Sequence, residues 1–158
     1  MKRAALLARA RSALGQGCAY ALGKGGMNPE SATPWGEKIE SDCSGFALWG
    51  AGMPRLVWLD TSRIVQIARD APRLFVKIPW IEARPGDFVV YPDRQGTDGN
   101  HHEGHIGVVS EVHGGPTRVI HCSAGNWKRA GDAIQETGPE AWTMNAGSIV
   151  VRAAALED

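Results

Sequence analysis

Asp42-Cys43-Ser44-Gly45-Phe46-Ala47-Leu48-Trp49 is the stretch on which the reading of this chain turns. Asp42 or Ser41 can cap a helix that begins at Cys43, since a short side-chain oxygen there accepts from a backbone N–H that the helix leaves unpaired. Phe46, Ala47 and Trp49 give that helix an apolar face, and Gly50, Gly52 and Pro54 bring it to a stop. The Cys43 thiol then falls at a helix start, where free N–H groups and the macrodipole favour an anion. Gly45, in the first turn, leaves room for another backbone or a ligand to approach the thiol. A cysteine on an apolar helix is by itself ordinarily a core residue, so the case for a nucleophile depends on what else the chain supplies.

Downstream it supplies two histidines. His105 to Val112 and Thr117 to Ser123 alternate like strands joined by a Gly-rich turn. His105 shares a face with Gly107 and Val109, and His121 shares one with Val119 and Ser123. A three-residue loop at His113-Gly114-Gly115 sets His121 opposite Gly107, with His105 its diagonal neighbour on the same face. A two-residue turn would send His121 to the far side. In the first register His105 is placed to take the Cys43 proton and return one to a leaving amine, while His121 orients its ring.

On these residues the chain resembles the NlpC/P60 cysteine peptidases, which have a papain-like fold. The resemblance rests on Tyr20-Ala21-Leu22-Gly23-Lys24-Gly25-Gly26, Asp42 to Phe46, Met53-Pro54-Arg55, Arg84-Pro85-Gly86-Asp87-Phe88-Val89, His105 to Val109 and Ile120-His121, and so runs over nearly the whole chain. It implies an α+β fold with N-terminal helices packed on a central antiparallel sheet. It further implies hydrolysis of peptidoglycan stem peptides, commonly at the γ-linkage between D-glutamate and the diamino acid, with Cys43, His105 and His121 as the catalytic group. By the same resemblance Tyr20, Asp42 and Ser44 hold the L-Ala end of the substrate, and a backbone N–H at the helix start helps bind the oxyanion. Two runs are longer than the family pattern, Met27 to Ser41 and Pro92 to Gly104. Both are expected to border the cleft and to bear on specificity. Trp35 and Trp127, read as loop residues, are the aromatic candidates for contact with a glycopeptide.

The rest of the chain fits a single domain over residues 1–158. Its 158 residues, 43% hydrophobic, suffice for one core, and no shift in composition marks a second domain. The formal net charge of +0 gives no electrostatic case for nucleic acid or membrane as a partner. The coarse order is an N-terminal helix through about Cys18, a loop to Ser41, the Cys43 helix, a helix near Thr61 to Asp70, a turn at Arg84 to Asp87, then strands, the last over Ser148 to Arg152. With three cysteines there is no disulfide framework; Cys18 and Cys122 read as buried thiols, and nothing requires a bridge between them. His101-His102-Glu103-Gly104-His105 does not have zinc-protease spacing, so no metal and no cofactor are expected, and His113 reads as a solvated turn residue.

Arg9 and Arg11 interrupt the apolar run after Lys2 and Arg3, which leaves no signal-peptide core, and Ala4, Leu6, Leu7, Ala10 and Leu14 fit an amphipathic helix instead. The expectation is synthesis in the cytoplasm, action on the wall or in the periplasm, and a phage tail, secretion system or inhibitor as partner. Two alternatives stand beside the endopeptidase. One is another cysteine acyl hydrolase or transferase, including an amidase cutting between sugar lactyl group and stem peptide. The other is a non-catalytic domain of a phage tail or similar assembly.

Overall fold

The structure is a computed structural model and describes residues 1–157. Helix α1 (Arg3–Ser12) buries Leu6 and Ala10. It stops short of Cys18, because Gly15 and Gly17 take positive φ values of 71° and 70° that turn the chain away. Cys18 instead leads into β1 (Ala19–Tyr20), which pairs in parallel with β2 (Glu40–Ser41). Helix α2 (Cys43–Gly50) follows, with every residue buried. Asp60 caps α3 (Thr61–Asp70) by accepting from the Arg63 N–H.

The strands then accumulate: β3 (Phe75–Ile78), β4 (Phe88–Tyr91), a small hairpin of β5 (Arg94–Gln95) and β6 (His101–His102), then β7 (His105–Val112) and β8 (Pro116–Cys122). Helix α4 (Ala124–Ala130), β9 (Ile134–Thr137), the short α5 (Glu140–Thr143) and β10 (Ile149–Ala153) complete the chain. Six strands form one antiparallel sheet in the order β3-β10-β4-β7-β8-β9. This is the α+β architecture that the sequence implies.

Strand alternation divides the core in two. Phe88, Val90, Ile106, Val108, Ile120 and Val151 pack with α1, α2 and α3, whereas Val89, Val109, Val119 and Val150 pack on the other face with Trp142 and Ala83. The register of β7 on β8 decides where the histidines go. Val109 faces Val119 and Val112 faces Pro116, with one extra residue on β7 at Ser110 and one on β8 at Thr117. The two irregularities cancel. His113-Gly114-Gly115 is the connecting loop, and Val108 opposite Ile120 carries the register to Gly107 opposite His121.

A buried carboxylate ties the chain ends to this sheet. Asp87 accepts from Arg3 at 2.7 Å and from Arg152 at 2.9 and 2.8 Å, joining α1, β10 and the turn before β4.

Candidate active site

Asp42 is the cap of α2, and its carboxylate is held on every side. Oδ1 accepts from the Gly45 N–H at 2.8 Å and from the Ser44 hydroxyl at 3.2 Å, and Oδ2 accepts from the Gly23 N–H at 2.7 Å. The Arg55 guanidinium grips both oxygens at 2.8 and 2.6 Å and also donates to the Lys24 carbonyl at 2.7 Å. One buried ion pair thus locks the Gly-rich Gly23–Gly26 loop against the helix start. Gly45 is required there: a Cβ would lie 2.5 Å from the Lys24 oxygen and 2.7 Å from the Gly25 oxygen.

Cys43 is 7% exposed at the first position of α2. No side chain among the described residues hydrogen-bonds its sulfur; the backbone N–H groups of Ile106, Ser44 and Cys43 favour its anion instead. The helix-start argument expects an acidic thiol, and the surroundings reverse it. Burial and then the negative charge of Asp42 push the thiol up to about 12, more than the N–H groups recover. The free site therefore holds a neutral thiol.

The histidines are close to one another. His105 Nε2 lies 2.8 Å from His121 Nδ1, and His121 Nε2 lies 2.9 Å from the Thr137 hydroxyl. His121 Nε2 also lies 3.5 Å from the Asn126 amide nitrogen, but the 2.9 Å contact with Thr137, whose own proton goes to the Gly138 carbonyl at 3.0 Å, is the closer one and makes Nε2 the donor. His121 Nδ1 is then bare and accepts from His105 Nε2–H, which leaves His105 Nδ1 with its lone pair free for a proton. Burial pulls His105 down to about 3, with His121 adding to it; burial and then Arg129 pull His121 down to about 4. Both rings are neutral at pH 7.

Two further groups fix these rings. Trp142 stacks on His105 with centroids 5.2 Å apart and planes 17° apart, and meets His121 edge-on at 5.1 Å. Asn126, buried on α4, donates to the His121 and Ala133 carbonyls at 3.3 and 3.1 Å.

Two adjoining chambers open at this place. One of about 240 Å³ includes Cys43, Ser44, Asp42, Arg55, Asp93 and His101; the other, about 430 Å³, includes His105, His121, Thr137, Arg129 and Glu140. Tyr20, Glu103 and Gly104 line both. Burial above all, with the negative charges of Glu103 and Asp42 adding to it, pushes the Tyr20 phenol up, so it stays a hydrogen-bond donor. The Pro92 to Gly104 insertion thus reaches the cleft, and Met27 lines a third cavity that runs on from Ser44 and Arg55.

Trp35 and Trp127 line neither chamber. Trp35 packs against the core, and Trp127, expected in a loop, is on α4 and 39% exposed. Cys18 and Cys122 are free and fully buried behind the site, the Cys122 thiol pushed up first by its hydrogen bond with Cys18 and then by burial. His101 pairs with Asp93 and His102 with Asp98, each at 3.3 Å, and no group of three or more His, Cys, Asp or Glu side chains among the described residues is arranged to hold a metal ion.

Thr137, Asn126, Trp142 and Arg129 were not legible as site residues. Thr137 sits on β9, whose Ile134-Gln135-Glu136-Thr137 has one apolar residue and no alternation to mark it. Arg55 carried a signal, because it stands in the Met53-Pro54-Arg55 motif; its role as clamp on Asp42 did not.

No protein-family model and no curated protein matches the chain. Solved structures do. The P60 domain of an antigen from M. avium subspecies paratuberculosis superposes with a TM-score of 0.52 at 18% identity, covering 95% of this chain and 93% of that one. An NLP/P60-family protein similar to a lipoprotein, from Staphylococcus aureus, gives a TM-score of 0.49 at 19% identity over 93% of this chain and 40% of that one. The first likeness shows that the chain has the fold of a P60 domain.

Proposed function

We propose that this chain is a cysteine peptidase of the NlpC/P60 kind that hydrolyses peptidoglycan stem peptides at the γ-D-glutamyl–diamino acid bond. The observation that carries the reading is the relay His105–His121–Thr137, which leaves a lone pair on His105 Nδ1, beside a cysteine at the start of a capped helix in this fold. The cleaved bond and the wall substrate come from the resemblance of the motifs around Tyr20, Cys43, His105 and His121.

The thiol proton passes from Cys43 to His105 Nδ1 as the sulfur attacks the amide carbonyl carbon. Charge builds on the carbonyl oxygen, where the Cys43 and Ser44 N–H groups, which Asp42 does not take, can receive it. His105 then gives the proton to the departing amine, leaving a Cys43 thioester. Water, losing a proton to His105, adds to the thioester carbonyl, and the thiol leaves with that proton restored. His121 takes no proton from substrate; its neutral ring holds His105 in the working tautomer. The smaller chamber, with Cys43, Ser44 and Tyr20, receives the acyl side.

Action on the wall or in the periplasm belongs to this proposal, as does delivery by a phage particle or secretion machine. Among the described residues no helix is long and apolar enough to cross a membrane. The test is mass spectrometry of purified muropeptides incubated with the wild type and with Cys43→Ala. An L-Ala-D-Glu fragment and a diamino-acid peptide from the wild type alone are expected. Intact muropeptides with both proteins would overturn the reading, and a cut between the lactyl group and L-Ala would replace it with an amidase.

A further inference from the structure

The Cys43 chamber does not end at Ser44. Gly23, Ser44, Arg55 and Asp60 line both it and a cavity of about 290 Å³ walled by Met27, Leu56, Val57 and Leu59. Gly23 and Met27 in turn line a further cavity of about 460 Å³, bounded by Lys24, Glu37, Lys38 and Glu40. The three hollows form one groove, and neither His105 nor His121 lines any of them.

The outer cavity is built largely by Met27 to Ser41, the run that is longer than the family pattern, and that run is tied down. The Gly26 N–H donates to the Pro34 carbonyl at 2.6 Å, Trp49 Nε1 donates to the Ser31 carbonyl at 3.0 Å, and the Arg55 clamp also holds the Lys24 carbonyl. Its side chains are polar and evenly balanced. Lys24 and Lys38 stand with Glu37 and Glu40, and none of the four side chains has an ion pair or hydrogen bond among the described residues. Two cations and two anions give no net attraction for a charged ligand, yet they offer donors and acceptors together, which is what a neutral, hydroxyl-rich ligand needs. Gly23 and Gly36 keep the floor bare, because a Cβ at either meets nothing within 4 Å.

Position selects the ligand. The acyl side of the scissile bond lies in the Cys43 chamber, so whatever precedes it in the substrate extends past Ser44 into this groove. In a stem peptide still attached to the wall, that is a lactyl group and then a sugar. Met27, Leu56 and Val57 give lactyl and acetamido methyl groups an apolar wall, and the outer cavity gives ring hydroxyls polar partners.

We infer that the groove from Ser44 to Lys38 binds the glycan that carries the stem peptide, a neutral chain of N-acetylated amino sugars. This rests on the peptidase reading above and deepens it: the protein acts on peptides still attached to glycan in preference to released ones.

The test compares kcat/KM on D-lactoyl-L-Ala-γ-D-Glu-meso-diaminopimelate with that on the same peptide carried by the disaccharide GlcNAc-MurNAc, whose muramoyl group supplies the lactyl unit. The wild type should favour the disaccharide-peptide by about tenfold or more, the scale of one or two neutral hydrogen bonds. Gly36 has no positive φ and open space above it, so Gly36→Phe fills the groove without straining the fold, and it should collapse the ratio. Lys38→Ala and Glu37→Ala should each lower it. A general structural effect of Gly36→Phe would slow both substrates alike and leave the ratio intact, which would overturn the inference, as would a wild type without preference. If the wild type cleaves neither substrate, the peptidase reading falls. Calorimetric binding to Cys43→Ala then decides the groove: tighter binding of the disaccharide-peptide, lost in Cys43→Ala/Gly36→Phe, supports it, and equal or absent binding sinks it. Circular dichroism of each variant checks that it is folded.

Discussion

His105 Nε2 lies 2.8 Å from His121 Nδ1, and with Thr137 giving its own proton to the Gly138 carbonyl at 3.0 Å the bond between the rings runs from His105 to His121. A threonine hydroxyl thereby fixes which nitrogen of His105 is free to act. Thr137→Val keeps the shape and removes the acceptor. His121 can then carry its proton on Nδ1, turn His105 over to the wrong tautomer and idle the site. We expect kcat to fall about tenfold with KM little changed, the upper span of one neutral hydrogen bond. Unchanged kcat would mean that the relay is not set at Thr137.

The resting site pairs a neutral thiol with a neutral imidazole, and this has a kinetic signature. Burial and Asp42 hold Cys43 up at about 12, and burial and His121 hold His105 down at about 3. Alkylation of Cys43 by iodoacetamide in the free protein should therefore climb through the alkaline range, with no plateau near neutrality. It should still precede alkylation of Cys18 and Cys122, which are fully buried against 7% exposure for Cys43. A fast, pH-independent rate across pH 5 to 8 would show a preformed thiolate–imidazolium pair and contradict this picture.

The sequence revealed most where local chemistry and tertiary structure agree. The helix over Thr61 to Asp70 was readable because its apolar positions and its Pro72 stop are local signals. The histidine register was readable too, although by an argument that ignored two bulges: Ser110 and Thr117 each add a residue, and the shifts cancel. What stayed hidden depends on long-range contacts. Strand β9 has an almost polar sequence and exists because β8 offers it an edge, and α4 is set by a Ser123 cap and the left-handed Gly131 rather than by an apolar stripe. Thr137, Asn126 and Arg129 enter the site on those elements. At Cys43 the helix-start effect is local and legible in the sequence, while the burial that opposes it comes from the whole fold.

Gly107 is the point where sheet and indole meet. A Cβ there would lie 2.5 Å from Val119 Cγ1 and 3.0 Å from the Trp142 ring, and that ring stacks on His105. Gly107→Ala should therefore displace Trp142 and tilt His105, costing about 1 to 3 kcal/mol of stability, as overpacking does, and lowering kcat more than KM. Urea denaturation with steady-state kinetics reads both; wild-type values in each would show that the contact is slack.

Arg55→Met removes the partner of a carboxylate that is 2% exposed. Asp42 would keep its bonds from Gly23 and Gly45 but face the cleft as an uncompensated charge beside Cys43. The expected loss is about 3 kcal/mol, the usual result of breaking a buried pair from one side. The double variant Arg55→Met/Asp42→Asn should recover part of that stability. If the double variant is no more stable than Arg55→Met, the stranded charge is not the cause.

Acid should destabilise this fold in two stages. His105 and His121 have folded values of about 3 and about 4 against 6.5 in the free side chain, so the unfolded chain takes up protons that the folded chain refuses. The stability they contribute is complete above 6.5 and is lost as pH falls from there through the folded values. Asp87 follows at lower pH: burial pushes its carboxyl up, but the hydrogen bonds from Arg152 and Arg3 outweigh burial and hold it below its ordinary value. Its contribution stands above about pH 4 and is lost as pH falls further, releasing the tie between α1 and β10. Melting temperatures across this range should thus begin to fall near pH 6.5 in the wild type, and His121→Gln should remove part of the first stage while leaving the second. A melting temperature flat from pH 7 to 4.5 would place both histidines in solvent-like surroundings and undo the assignment of a buried, neutral relay.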